Sequence, residues 1–523
     1  MRLIWPQVVF CNHCFLAGII IFVASISFTV AEDNLSLDRS NIFVINTDNG
    51  HFFAYRSADE MTMQELHAWV DQYADSKVTH LFICPNARRA SFRSKTREAI
   101  WDPTDGVAPD HRWPTNAKIL HDKGIDPYQV WIDRCREKNI SVWLSMRMND
   151  MHQAEDFDNF QHSSFWRENI DLWREPHHEH GSGLNFAYKE VRRYELSFVK
   201  ELLQRYDLDG IELDWMRNPS HLSPDKAFEE RVHLTSFMLD VKALVEKWSR
   251  RRGHKIGVSV RTPTHPDACA GIGIDVIDWA HRGLVDLIVA TPFYFSSDFD
   301  IPFHLWKERL QGTPKRVSVI GGIESTARPW IFGTPVGNTL STLYGFAAVG
   351  HMRGADGFYL FNWMDRTDWP IPYSTYPALL NTGLGVELVT NSSRRHPVCF
   401  RDVVPDGFPS DTQLPVDASA ISTIRIQAGT KPQSGQVSII VGLAKREGVT
   451  KAVLEGSLNG QDLPEISEFK LLKQLGGDSA RAISFSCPLD CVKSGYNNFK
   501  IKQANDGVPQ QIVWIELRID AEE

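Results

Sequence analysis

Between residues 41 and 363 the chain alternates short β-branched runs with stretches whose apolar residues recur at helical spacing. The runs are NIFVINTD (41–48), VTHLFICPN (78–86), ISVWLSMRMND (140–150), LDGIELDW (208–215), HKIGVSVR (254–261), VDLIVATPFYF (285–295), KRVSVIGGIES (315–325) and DGFYLFNW (356–363). Eight successive β-then-α units imply a parallel sheet, and that number predicts its closure into a (β/α)8 TIM barrel over residues 40–387. From about Leu388 the rhythm changes to short strands such as VSIIVGL, AISFSCPL and QIVWIELRID, separated by turn-rich pieces such as SLNGQD and VKSGYNN. This second pattern predicts an all-β sandwich over residues 395–523. The fold class is therefore α/β, a barrel followed by a C-terminal β-sandwich.

The connections carry their own signals. Ser223-Pro224 reads as an N-cap with proline at the first helical position, followed by Leu234, Phe237, Met238, Val241, Leu244, Val245 and Trp248 at helical spacing. The links at 87–126 and 151–184 are long and rich in tryptophan (Trp101, Trp113, Trp166, Trp173). Both follow strands and so belong to the catalytic face of a barrel, where their aromatics are expected to serve as sugar platforms.

Strand parity then sorts the polar residues. Side chains alternate between two faces, so Ser145, Arg147 and Asn149 oppose Val142, Leu144 and Met146, and Glu212 and Asp214 oppose Ile211 and Leu213. Ser259 and Arg261 oppose Val258 and Val260; Ser318, Gly322 and Glu324 oppose Val319 and Ile323. The apolar faces should meet the helices, leaving the polar faces to line the barrel mouth.

Composition narrows the function classes. The 523 residues are 42% hydrophobic and 23% charged, as in ordinary globular proteins, and the net charge of −9 offers no footprint for nucleic acid. The opening segment has one early arginine, an apolar run from Phe15 to Ala31 and then Glu32, the layout of a signal peptide over residues 1–31 cleaved after Ala31. That predicts a secreted or periplasmic protein with no stable membrane insertion. Six cysteines beyond the leader are scattered through the chain; Cys487 and Cys491 are close enough to bridge or to remain two thiols.

A mouth that gathers Arg147, Asn149, Glu212, Asp214, Arg261, Glu324 and Asn362 has the groups for acid and base work on a sugar, because neighbouring carboxylates push their pKa values apart. Asp214 and Glu324 are the expected catalytic pair, with Glu212 counted beside them. Repulsion from Glu212 assigns Asp214 the proton-donor role, leaving Glu324 as nucleophile or base. Glu212 lies one inward position deeper, and pairing with Arg147 or Arg261 is the structural alternative for it. Asp48 and Asn86, at the ends of the first two runs, join the substrate-binding candidates, as do Trp215, Tyr294 and Trp363 as stacking aromatics. No cofactor is expected, and no metal: His177, His178 and His180 lack zinc-site spacing.

DGIELDWMRNP, with SMRMND before it, resembles the glycosyl-hydrolase-like ten group, a bacterial family of (β/α)8 barrels whose fourth strand carries a similar D-G-I-x-x-D-aromatic-x-R-x-P signature. The resemblance covers roughly residues 40–385. It implies a secreted carbohydrate-active protein in which Asp214 is the strand-four acid and Arg147, Asn149, Asp150 and Arg217 line the pocket. A second similarity, to chitinase-type barrels, places Asp209, Glu212 and Asp214 at matching spacing but puts Met216 where their final glutamate stands, so that mechanism is not carried over. The leading expectation is a glycoside hydrolase of a poly- or oligosaccharide. A catalytically silent polysaccharide-binding barrel is one alternative. A lyase or hydrolase of acidic, uronic or sulfated, sugars is the other, suggested by the arginines at the mouth.

Overall fold

The computed structural model describes residues 42–175, 182–219, 221–362, 365–366 and 373–522. The expected leader, the histidines of PHHEH and Trp363 lie outside the described residues. Among those described, no helix is long and apolar enough to cross a membrane, and the six cysteines are free thiols.

Eight parallel strands close a barrel: β1 Ile42–Thr47, β2 His80–Ile83, β3 Ser141–Arg147, β4 Gly210–Asp214, β5 Gly257–Thr262, β6 Leu287–Ala290, β7 Ser318–Ile323 and β8 Gly357–Leu360. Their order around the ring is sequential, with β8 pairing both β7 and β1. The alternation in sequence is the alternation in space. Val142, Leu144, Ile211, Leu213, Val258, Val260, Val319 and Ile323 join the large core under the helices. Ile42, Val44, Phe82, Trp143, Leu287, Val289, Ile320 and Tyr359 form a separate cluster inside the ring. Room for that inner cluster comes from small neighbours: a Cβ at Gly210 would lie 2.3 Å, and one at Gly257 2.4 Å, from the Trp143 ring.

The helix after β4 runs from Ala227 to Arg252 and ends at Gly253, whose φ of 79° suits a residue without a side chain. It starts later than Ser223-Pro224 suggested. Ser223 instead closes a turn by accepting from the Lys226 N–H, at 3.0 Å, and Lys226 occupies the cap position. The 87–126 link likewise holds a helix of its own, Arg112–Asp122.

The C-terminal region forms two antiparallel sheets around an apolar core of Ile424, Ile439, Val441, Phe485, Phe499, Ile501, Ile515 and Leu517. One sheet orders the strands Arg394–Pro397, Gln511–Asp520, Gln436–Leu443, Arg481–Cys487 and Ile466–Glu468. The other holds Ser422–Gln427, Tyr496–Gln503 and Leu454–Leu458. The helix Leu340–Arg353 joins barrel to sandwich. Its Gly345 approaches the backbone of Arg395 so closely that a Cβ there would sit 2.0 Å from the carbonyl oxygen.

Candidate active site

Three inward rows stack through β3, β4 and β5. At the bottom, Trp143 covers Gly210 and Gly257. Above it, Ser145, Glu212 and Ser259 are cross-strand neighbours, and above those stand Arg147, Asp214 and Arg261. The two strand-four acids therefore occupy different layers with different partners.

Glu212 is sealed from solvent. It accepts from Ser145 Oγ at 2.6 Å, Tyr359 OH at 2.8 Å and Ser259 Oγ at 3.2 Å. Its direct partners are hydroxyls, not the arginines that sequence reasoning offered it. Burial, reinforced by the charge of Asp214, pushes its carboxyl up to about 7.

Asp214 is held on three sides. Its Oδ1 accepts from the backbone N–H groups of Met216 and Arg217 at 3.0 and 2.9 Å, and its Oδ2 from Arg261 Nη1 at 2.7 Å. Glu324 follows β7 with inward parity and is 4% exposed. The only hydrogen bond to its carboxylate among the described residues comes from the Ser325 N–H, at 3.2 Å. Burial pushes it up to about 7, against the pull of Arg261 and Arg217. Ser297 and Asn338 fix its backbone by donating to its carbonyl oxygen.

An ionic chain spans the rest of the mouth. Asp48 Oδ2 accepts from Arg147 Nη2 at 2.5 Å and Arg217 Nη2 at 2.6 Å. Asp150 binds Arg147 and, through Oδ1, the His152 ring at 2.7 Å. Burial pushes Asp48 and Asp150 up, but the surrounding cations prevail and hold both below the usual carboxylate range. The guanidiniums of Arg261 and Arg217 lie over the Phe361 ring, at 3.7 and 5.0 Å from its centroid. The Nε and Nη2 of Arg261 are buried and find no partner among the described residues.

Other candidates are placed elsewhere or are already engaged. Asn86 spends its side chain on the backbone of Arg147 and Ala87, and Asn149 spends its own on both backbone groups of Leu184. These two position strand and loop. Trp215 is a correction: its parity is opposite to that of Asp214, and it packs under the helices against Phe186, Phe237 and Trp279. Trp101, Trp113 and Trp166 are also buried, Trp166 between His162 and Trp173 and beneath Arg88. They consolidate the long links and offer no stacking face. Asn362, with φ of 51°, is half-buried just past β8, and Tyr294 is half-buried after β6.

Two contributors were missed. Phe361 shares the parity of Tyr359, so the alternation in DGFYLFNW could have found it. Asp402 could not be found that way, because it comes from the C-terminal region, in the link between its strands Arg394–Pro397 and Ser422–Gln427. Its Oδ2 accepts the Phe293 and Tyr294 N–H groups at 2.6 Å each, and burial raises its carboxyl to about 6.

No protein-family model and no curated protein matches the sequence. Among solved structures, the chain is similar to an endo-β-1,4-mannanase from Thermotoga petrophila, with 12% identity, a TM-score of 0.41, and coverage of 92% of this chain and 98% of that one. It is similar to α-L-fucosidase isoenzyme 2 from Paenibacillus thiaminolyticus, at 11% identity and a TM-score of 0.40, covering 65% of this chain. A cycloisomaltooligosaccharide glucanotransferase from a Paenibacillus species gives 10% identity and a TM-score of 0.34 over 92% of this chain. The chain spans 49% of the length of the fucosidase and 58% of that of the glucanotransferase.

Proposed function

We propose that the protein is an exported glycoside hydrolase acting on a neutral poly- or oligosaccharide, with Glu324 as proton donor and Asp214 as the second carboxyl group of the site. One observation carries this reading: two carboxyls of one mouth stand in opposite electrostatic settings, Glu324 raised to about 7 by burial and Asp214 bound to a guanidinium and two N–H groups. Glycoside hydrolysis needs that asymmetry. The roles are the reverse of those expected from repulsion by Glu212, because Asp214 has the Arg261 guanidinium as a direct hydrogen-bond partner and Glu324 has a single backbone N–H. Strands β4 and β7 are three apart in the ring, which leaves room for a sugar between the two groups.

In the proposed reaction Glu324 gives its proton to the glycosidic oxygen as the bond from that oxygen to the anomeric carbon breaks. Asp214 stabilises the positive charge that develops on the sugar, and a water then bonds to the anomeric carbon and returns a proton to the Glu324 carboxylate. Arg261 favours the Glu324 carboxylate left behind, having unpartnered N–H groups beside it. The preference for neutral sugars follows from pairing. Arg147 has Asp48 and Asp150, Arg217 has Asp48, and Arg261 has Asp214. With each of these three arginines matched by an aspartate, their guanidiniums offer no surplus of positive charge for a uronate or sulfate. Reducing-end release from a panel of neutral and acidic polysaccharides tests the reading. Release from neutral chains is expected, and release only from uronic or sulfated chains would overturn the substrate class.

A further inference from the structure

A cavity of about 220 Å³ lies beside the mouth, lined by His221, Arg174, Tyr294, Asp402, Leu222 and Ile272, among others. That is an order of magnitude more than the ~10–15 Å³ one water needs on the same measure, so the space suits a ring. It is tied to the catalytic candidates through the chain. His221 donates from Nε2 to the carbonyl of Trp215, the residue after Asp214, at 2.7 Å. Asp402 is fixed by the N–H groups of Phe293 and Tyr294, and its charge acts on Glu324.

The hydrogen-bond inventory of the cavity is selective. A carbonyl can only accept, so the His221 bond to Trp215 puts the ring proton on Nε2. Burial lowers His221 to about 4, leaving the ring neutral near pH 7 and its Nδ1 a bare acceptor. That Nδ1 is buried and has no partner among the described residues. An orphaned buried acceptor is costly, and a donor brought into the cavity would recover that cost. Asp402 is a second acceptor. A hydroxyl suits both, since it can donate to histidine or to carboxylate. An anionic group has no donor for Nδ1 and is repelled by Asp402. Leu222 and Ile272 offer apolar surface for the carbon face of the same ring.

We infer that this cavity is a subsite for a second, neutral sugar unit of the substrate, with the His221 Nδ1 and Asp402 accepting its hydroxyls. The inference rests on the glycoside hydrolase reading for its substrate class. The enzyme should therefore favour chains over single units.

Val404, half-buried on the cavity wall, gives the test, because a bulky side chain there fills the space without touching the buried histidine. The probes are neutral gluco-, manno- and galacto-oligosaccharides of two to four units and the matching 4-nitrophenyl monoglycosides. Turnover is measured on wild type, Val404→Trp and Asp402→Asn, and oligosaccharide binding by calorimetry on the same proteins, with melting curves to verify folding. The expected result is a fall of at least tenfold in the ratio of kcat/KM for trisaccharide to that for monoglycoside in Val404→Trp, and a smaller fall in Asp402→Asn. Turnover with an unchanged ratio in both folded variants would overturn the subsite and leave the hydrolase reading standing. Binding without turnover in wild type, lost in Val404→Trp, would uphold the subsite and sink the hydrolase reading. Neither binding nor turnover of any of these sugars would sink both.

Discussion

Two buried glutamates in this molecule are handled in opposite ways. Glu516, at the seam between barrel and sandwich, is 0% exposed; its Oε2 accepts from Arg395 at 2.8 and 3.2 Å and its Oε1 from Arg518. Glu324, 4% exposed in the barrel mouth, has one backbone N–H and, among the described residues, no guanidinium bonded to it. Burying a charge is costly unless it is paired. At the seam the cost is met by counter-ions and the result is structure. In the mouth burial instead raises the carboxyl to about 7, which in the proposed reaction lets Glu324 give up its proton.

The largest effects should separate these roles. Glu324→Gln and Asp214→Asn are expected to lower turnover by at least ~10²-fold, as losses of a general acid and its partner do; Glu324→Gln should not lower the melting temperature, whereas Asp214→Asn also strips buried Arg261 of its counter-charge and should lower it. Glu516→Gln leaves the buried Arg395 and the half-buried Arg518 guanidiniums without their counter-charge and should cost ~3–5 kcal/mol in denaturant unfolding, while specific activity of the folded fraction persists. Near-normal turnover in Glu324→Gln would break the contrast from the catalytic side. Unaltered stability in Glu516→Gln would break it from the structural side.

The tryptophans extend the same comparison. Trp166 is fully buried and stacks on Trp173 at 4.4 Å between centroids, so Trp166→Ala should cost ~3–5 kcal/mol as a core truncation. A variant of normal stability with weakened oligosaccharide binding would instead make this residue a sugar platform, as the composition of the loop first suggested.

What was legible in the sequence followed from a local rule. Alternation on β3, β4, β5 and β7 placed Arg147, Glu212, Asp214, Arg261 and Glu324 inside the ring, because parity depends only on neighbouring residues. Parity gives direction and not depth. It could not say that Glu212 would meet three hydroxyls from β3, β5 and β8 while Asp214 met a guanidinium, since both outcomes depend on strands brought together from far along the chain. Long loops rich in tryptophan looked like a cleft, yet their rings pay for the ordering of those loops by packing. Asp402 lies more than forty residues beyond the last barrel strand and carried no local signal at all.

Titration sharpens the comparison further. Glu324 and Glu212 are raised from 4.5 to about 7 in the folded protein. Each therefore binds more protons folded than unfolded between pH 4.5 and 7, and stability from both groups declines as pH rises through that window. Asp48 and Asp150 are depressed, so their contribution is present above their ordinary value and is lost only as pH falls below it. Calorimetry from pH 5 to 8 should show the melting temperature of wild type declining more than that of Glu324→Gln. In the same range kcat/KM should fall above about pH 7 as Glu324 loses its proton. A rate that rises through pH 7 would mean that Glu324 acts as a base.

The smallest effect concerns the layer beneath the mouth. Tyr359 donates to Glu212 at 2.8 Å, and Tyr359→Phe removes that donor while Ser145 and Ser259 remain. A hydrogen bond to an ionised acceptor is worth roughly twice one to a neutral acceptor. Because Glu212 titrates near 7, the substitution should cost about 1 kcal/mol at pH 5 and more at pH 8, where the carboxylate needs the missing hydroxyl. Urea unfolding of wild type and variant at the two pH values measures the difference. Equal penalties would mean that Glu212 does not change its protonation between them, and its raised carboxyl would then have to be sought either well above pH 8 or below pH 5.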